Sequence, residues 1–167
     1  KRRMFGVTLD KFGRLWTLSS LHGGALYLSG DDGENWKMVL RDRNFQVLTK
    51  VMPSSKDRNL IYVSSLTNSP MGIGTSIMKS ADGGKTWLPV FKDKACWGVY
   101  LYPENEKIVF ACTYSDGLWL SRNGGSTWKK VEKFPALSPI SVTFDLEDAD
   151  CVYVSCFGNG VWKGCLD

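Results

Sequence analysis

Short apolar runs and polar breaks alternate along the whole chain. Val-Thr-Leu, Leu-Trp-Thr-Leu-Ser, Ala-Leu-Tyr-Leu-Ser and Met-Val-Leu follow one another within the first 41 residues, separated by stretches rich in Gly, Asp, Ser and charged residues. Such runs are rich in β-branched and aromatic residues and too short for helices. No stretch carries a 3.6-residue apolar period between capping signals, so the pattern predicts strands throughout.

Three elements recur. One is Leu60–Ser65, repeated as Ile108–Thr113 and Cys151–Cys156, with Leu15–Ser19 as its first copy. A second precedes it: Gln46–Pro53, Trp97–Pro103 and Ile140–Phe144. The third is an octet, seen as Ser29–Trp36, Ser80–Trp87 and Ser121–Trp128, which returns after about 50 and then about 40 residues. Together they predict four-strand units (strands A to D) over residues 4–41, 46–91 and 97–132, and a fourth unit over 139–164 that stops after strand C at Gly160–Gly164.

Four antiparallel strands per unit of this length describe the blade of a β-propeller. The predicted fold is all-β, with about 3.75 blades in a single propeller segment spanning residues 1–167. No spare strand precedes the first unit, and the chain opens on Lys1-Arg2-Arg3-Met4 without an initiator. These features predict a fragment of a six- to eight-bladed ring or half of a ring built by two chains. Remaining blades or a second chain are then needed for closure.

Composition changes this picture little. Apolar content is 43% and charged content 23%, which fits a globular chain. Net charge is +4, and the only basic cluster is Lys1-Arg2-Arg3, so no stripe for nucleic acid is present. No apolar run approaches a membrane span. Five cysteines, none in a Cys-x-x-Cys, argue against zinc, and no cofactor or metal is expected. Cys151 and Cys165 fall nearly opposite each other in the last hairpin. A disulfide there is open, but the odd count favours free thiols.

The octet closes turns. Asp and Asn side chains accept from backbone N–H groups a few residues on, glycine supplies conformations other residues resist, and tryptophan buries a large ring. The residues concerned are Ser29, Asp31, Gly33 and Trp36; Ser80, Asp82, Gly84 and Trp87; and Ser121, Asn123, Gly125 and Trp128. Repetition at the blade period makes them structural rather than catalytic.

This octet resembles the Asp-box, or bacterial neuraminidase repeat, Ser-x-Asp-x-Gly-x-Thr-Trp. Ser80, Asp82, Gly84, Thr86 and Trp87 match every defined position; Asn35 and Asn123 depart from it. Asp-box families include sialidases, xyloglucanases, the sortilin ectodomain and photosystem II assembly factors. The chain has no Arg-Ile-Pro motif, and Gly117-Leu118-Trp119-Leu120-Ser121 before the box is similar to the sortilin, xyloglucanase and assembly-factor branch rather than to true sialidases. The resemblance implies a secreted or cell-surface protein, although the odd cysteine count suits a cytoplasmic one as well.

In a propeller the C–D turns share one face, and the B–C and D–A connections share the other, where ligands commonly bind. The candidate ligand residues on that rim are His22, Arg43, Asn68, Met71, Asp93, Tyr114, Asp116, Phe157 and Asn159. The long loop 66–74 adds a possible contact region. His22 is the only histidine, reads as a turn residue, and has no nucleophile motif beside it. Asp42 and Asp93 hold equivalent D–A positions. They could form a carboxylate pair for glycoside hydrolysis, but their basic neighbours favour surface ion pairing. The reading is a non-catalytic interaction propeller for a protein or glycan ligand. The alternative is part of a sialidase- or xyloglucanase-like glycoside hydrolase whose catalytic residues lie elsewhere.

Overall fold

A computed structural model describes residues 4–19, 24–42, 47–66, 75–148 and 150–166; of Phe5 and Asp42 it describes the backbone alone. These residues form fifteen strands and no helix. The first sheet orders β1 (Met4–Leu9), β2 (Leu15–Ser19), β3 (Gly24–Ser29) and β4 (Lys37–Asp42) as consecutive antiparallel neighbours. The second repeats this with β5 (Val47–Pro53), β6 (Ile61–Leu66), β7 (Thr75–Ser80) and β8 (Leu88–Lys92). The third has β9 (Cys96–Leu101), β10 (Val109–Thr113), β11 (Leu118–Ser121) and the two-residue β12 (Lys129–Lys130). The fourth has only β13 (Pro139–Phe144), β14 (Cys151–Cys156) and β15 (Gly160–Cys165). Four-stranded antiparallel blades, three complete and one lacking its outer strand, define a β-propeller.

The core lies between blades. Trp16, Leu18 and Leu26 of the first blade meet Leu48, Ile61 and Val63 of the second. Tyr62, Ile77 and Phe91 of the second meet Val99, Val109 and Ala111 of the third. Phe110, Cys112 and Leu118 of the third meet Val142, Val152 and Val154 of the fourth. Strand alternation explains this: in β10, Phe110 and Cys112 point forward along the ring while Val109 and Ala111 point back. The second and third blades are therefore apolar on both faces.

The octets sit on the C–D turns. Ser80 Oγ accepts from Gly84 N at 2.8 Å and donates to Asp82 Oδ1 at 2.8 Å. Asp82 in turn accepts from Thr86 N at 2.9 Å and from Thr86 Oγ1 at 2.6 Å. The Thr86 side-chain bond, foremost among these, holds the Asp82 carboxyl down at about 2. Asn123 builds the same clamp with one bond reversed: its Oδ1 accepts from Thr127 N, and its Nδ2 donates 2.8 Å to Thr127 Oγ1. In the first box the Asn35 amide donates to Asp31 Oδ2 in place of a threonine hydroxyl.

The second and third boxes also reach backward to the previous blade. Trp87 Nε1 donates to Val39 O at 3.0 Å, and Trp128 Nε1 donates to Val90 O at 2.8 Å. Val39 and Val90 are the bulged residues of β4 and β8, skipped by the register between Leu40 and Met38 and between Phe91 and Pro89. A bulge takes a carbonyl out of the ladder, and here it faces the next blade's indole. Gly125 has φ +87°, and a Cβ there would lie 3.3 Å from Val90. Gly125→Ala is therefore expected to cost about 1–3 kcal/mol through backbone strain alone, read as a lower urea midpoint.

One expectation is corrected. Cys151 and Cys165, read as free thiols, form a disulfide with Cα atoms 3.9 Å apart. They are direct register partners across β14 and β15, so the hairpin itself brings their sulfurs together. Cys96, Cys112 and Cys156 remain free.

Candidate functional site

Backbone bonds separate the two faces of the ring. The A–B turns join the boxes through Gly83 N to Asn59 O and Gly124 N to Lys107 O. On the opposite side the B–C turns join the D–A connections, through Tyr114 N to Ala95 O, Gly117 N to Leu137 O and Phe157 N to Ser138 O. The proposed rim thus has a defined scaffold, although four of its residues (His22, Arg43, Asn68 and Met71) and most of the loop 66–74 lie outside the described residues.

The remaining five rim residues are described. Tyr114 is exposed and packs against Trp97, with ring centroids 5.5 Å apart. Asp116 is held by Lys94 at 2.6 Å and Lys130 at 3.0 Å. Its carboxyl is lowered below the usual range by the Lys94 bond first and then by Lys130, against the opposing effect of burial. Phe157 is 74% exposed, and the Asn159 carbonyl accepts from Trp162 Nε1. Asp93 shows no ion pair among the described residues, contrary to the surface pairing read from its lysine neighbours. Its φ of 63° makes it a turn residue, a conformation Asp tolerates.

What the structure does bring together comes from the A strands. Each A strand carries a one-residue bulge against its B strand, at Gly6, Thr49, Trp97 and Ile140 in successive blades. Bulges re-aim side chains, and three of these four line one cleft. That cleft has a volume of about 390 Å³ and is formed by Val47, Leu48, Thr49, Lys50, Trp97, Tyr100 and Ile140. β5, β9 and β13 pack side by side around it.

Two donors in the cleft wall have no acceptor among the described residues. Trp97 Nε1 is buried without a hydrogen-bond partner among the described residues. Lys50 has no carboxylate partner there. Its ammonium lies 4.6 Å from the centroid of the Tyr100 ring, a cation–π contact. Burial lowers the Lys50 pKa, partly offset by Cys112. Tyr100 is fixed by its hydroxyl, which donates to Ile140 O at 3.2 Å, and by Gly98, where a Cβ would lie 2.6 Å from the ring. Thr49 Oγ1 donates to Cys96 O across the blade boundary.

Trp97, Tyr100 and Lys50 were read from the sequence only as strand residues. The signal that could have found them is the placement of a lysine and two aromatics on the innermost strands, where the ring axis is the only exit for a large side chain. A separate group, Asp148 with Cys151 and Cys165, has metal-ligand spacing. Both sulfurs are in the disulfide and offer no thiolate.

The fold and cleft define a segment of a β-propeller whose axial opening is walled by aromatic and cationic groups. No protein-family model and no curated protein matches the chain by sequence. Solved structures match it closely in fold. An ancestral GH74 enzyme superposes with a TM-score of 0.78 at 20% identity, over 98% of this chain and 23% of its own length. The GH74 xyloglucanase of Xanthomonas campestris gives 0.75 at 17%, over 98% and 29%. YCF48 from Cyanidioschyzon merolae gives 0.70 at 16%, over 98% and 50%. The chain spans half or less of the length of each. At these identities the likeness shows the propeller fold, shared with the xyloglucanases and with YCF48.

Proposed function

We propose that this chain is part of a non-catalytic binding propeller that takes a protein or glycan ligand at its axial cleft, on the side of the B–C and D–A connections. The observation that carries this reading is the cleft wall. Three bulged residues line it, and it presents two donors without an acceptor among the described residues, Lys50 and Trp97 Nε1, beside the rings of Trp97 and Tyr100. Such a wall suits a ligand with acceptor oxygens and a flat apolar face, as sugars and peptides have.

Glycoside hydrolysis needs two carboxylates about 5–10 Å apart across the bond to be cut. No described residue lining the cleft is acidic, and the nearby rim carboxylate Asp116 is neutralised by two lysines. The likeness to GH74 enzymes keeps the second reading specific: a hydrolase segment whose carboxylates lie on other blades.

Glycan and peptide arrays, followed by a sugar-hydrolysis assay on every array hit, separate the two. The expected result is binding without turnover, weakened at least tenfold by Lys50→Met and by Trp97→Phe, which keeps an aromatic ring but removes the donor. Turnover of a bound glycan would establish the hydrolase reading. Binding that both variants leave intact would move the ligand away from this cleft.

A further inference from the structure

We infer that Asp148, Cys151 and Cys165 form a binding site for a soft divalent cation, of the Zn²⁺ and Cd²⁺ class, when the Cys151–Cys165 disulfide is reduced. Their ligand atoms already lie within 4.8 Å of one another. Sulfur ligands select such ions over Mg²⁺ and Ca²⁺.

The hairpin holds the two sulfurs together without the bond between them. Leu166 N donates to Asp150 O, so Asp150 and Leu166 form a hydrogen-bonded pair of the antiparallel ladder. Cys151 and Cys165, the next pair along, are then a non-hydrogen-bonded pair. Side chains approach most closely at such pairs, whose Cα atoms lie about 4.5 Å apart even where nothing links them. The Cys151 backbone agrees. Its N–H donates to Asp148 O and its C=O accepts from Asp145 N, so neither group is spent on β15. Register pairs join β15 to β14 along the whole hairpin, β13 pairs with the other side of β14, and Val152 and Val154 anchor β14 in the core. The frame therefore does not depend on the disulfide.

Asp148 supplies the third ligand. Its Oδ2 lies 3.1 Å from Cys151 Sγ. A disulfide sulfur has no proton to donate, so this contact gains no hydrogen bond in the oxidised chain. A thiol would donate to the carboxylate, and a cation would bridge the two. The turn places this carboxylate: Cys151 N bonds Asp148 O at 2.9 Å, and Asp145 Oδ1 accepts from Glu147 N and Asp148 N. Asp145 is paired with Lys163 at 3.0 Å, whereas no cation pairs with Glu147, Asp148 or Asp150 among the described residues. The turn thus carries negative charge beside the sulfurs, and Asp148 is exposed to solvent, which gives a cation its entry.

Reduction takes two electrons from an external dithiol, which closes to its own disulfide. The Cys151–Cys165 bond breaks, and each sulfur takes one proton. The cation then displaces both protons and bonds two thiolates and one carboxylate oxygen, with water in the fourth position. Zn–S bonds of about 2.3 Å in a tetrahedral site put the sulfurs about 3.8 Å apart, a separation that facing side chains reach by rotation about their Cα–Cβ bonds.

The test uses the intact chain, either oxidised or reduced with dithiothreitol and freed of it under argon. Cd²⁺ is the probe, read by equilibrium dialysis and by thiolate-to-cadmium charge-transfer absorbance. The reduced chain should bind about one equivalent, at least tenfold more tightly than the oxidised chain. Cys165→Ser should weaken binding at least tenfold, and so should Asp148→Asn, an exposed change that keeps both thiols. Cys156→Ser, which removes a free thiol outside the site, should leave the affinity unchanged. Equal affinity of oxidised and reduced chains, unchanged affinity in Cys165→Ser, or a comparable loss in Cys156→Ser would put the metal elsewhere and overturn the proposal. Unchanged affinity in Asp148→Asn would overturn the three-ligand site. Loss of the far-ultraviolet sheet signal on reduction would overturn the preformed frame.

Discussion

Asp10→Ala is expected to lower the unfolding free energy by about 3–5 kcal/mol, because it removes one partner of a buried ion pair. The Asp10 carboxylate is fully buried and serves four donors: Phe12 N, Arg14 N, Arg14 Nε at 2.7 Å and Trp16 Nε1 at 2.9 Å. Trp16 is itself 0% exposed. Arg14 carries the network on to the second blade through Arg58 O, at 2.7 Å. Alanine would leave a buried guanidinium and an indole N–H without acceptors. Urea unfolding of the wild type and the variant measures the loss, and a cost under about 1 kcal/mol would contradict this account.

The same group sets an acid dependence. Burial pushes the Asp10 carboxyl up, but the bonds from Trp16, Arg14 and Phe12 together overcome it and leave the pKa below the ordinary 3.8. A lowered folded-state value means that the contribution is fully present above the unfolded value and is lost as pH falls through the folded one. The stability gap between wild type and Asp10→Asn should therefore be constant at neutral pH and shrink only below pH 3.8. A gap that shrinks between neutral pH and that value would mean the carboxylate is not held in its charged form.

Trp128→Ala is the second large effect, at about 3–5 kcal/mol, the usual range for emptying a packed tryptophan site. The ring packs against Phe91, and its N–H bonds Val90 O and Gly125 O. Trp128→Phe should keep most of the packing and lose about 1 kcal/mol for the hydrogen bond. Trp36 is the internal control. It belongs to the same octet but is 39% exposed, and its N–H bonds only Gly33 O within its own turn. Trp36→Ala should stay within about 0.5 kcal/mol, as surface substitutions do. Equal costs at Trp36 and Trp128 would show that the ring stabilises its own turn rather than the blade junction. Denaturant midpoints of the three variants decide this.

What was legible in the sequence was what is local. The octet bonds join residues two to four positions apart, such as Ser80 with Asp82 and Asp82 with Thr86, so spacing alone exposes them. Strand alternation is local too, and it gave the blades and the missing outer strand of the fourth. The indole bonds from Trp87 to Val39 and from Trp128 to Val90 span a whole blade, and no residue type marks a bulged valine. The Asp10–Arg14–Trp16 network was missed although it is close in sequence, because an acidic residue at an A–B turn reads as a solvated turn former. The cleft was missed for a related reason. The rim loops are where the sequence reading looked, and the bulges on the inner strands that set Thr49, Trp97 and Ile140 along the cleft carry no mark in residue type. The disulfide was visible as an opposed pair, but cysteine parity pointed the other way.

The bulged valines also give the repeat a direction. At the two junctions that carry such a bond the donor belongs to the later blade and the acceptor to the earlier one. The second blade therefore carries one of each, and inserting or deleting a copy of it leaves every remaining donor matched to an acceptor. A cut at any other place strands one or the other. Gene duplication in whole-blade steps is thus the low-cost route by which a ring of this construction changes size, with stability added junction by junction as in other nearest-neighbour repeats.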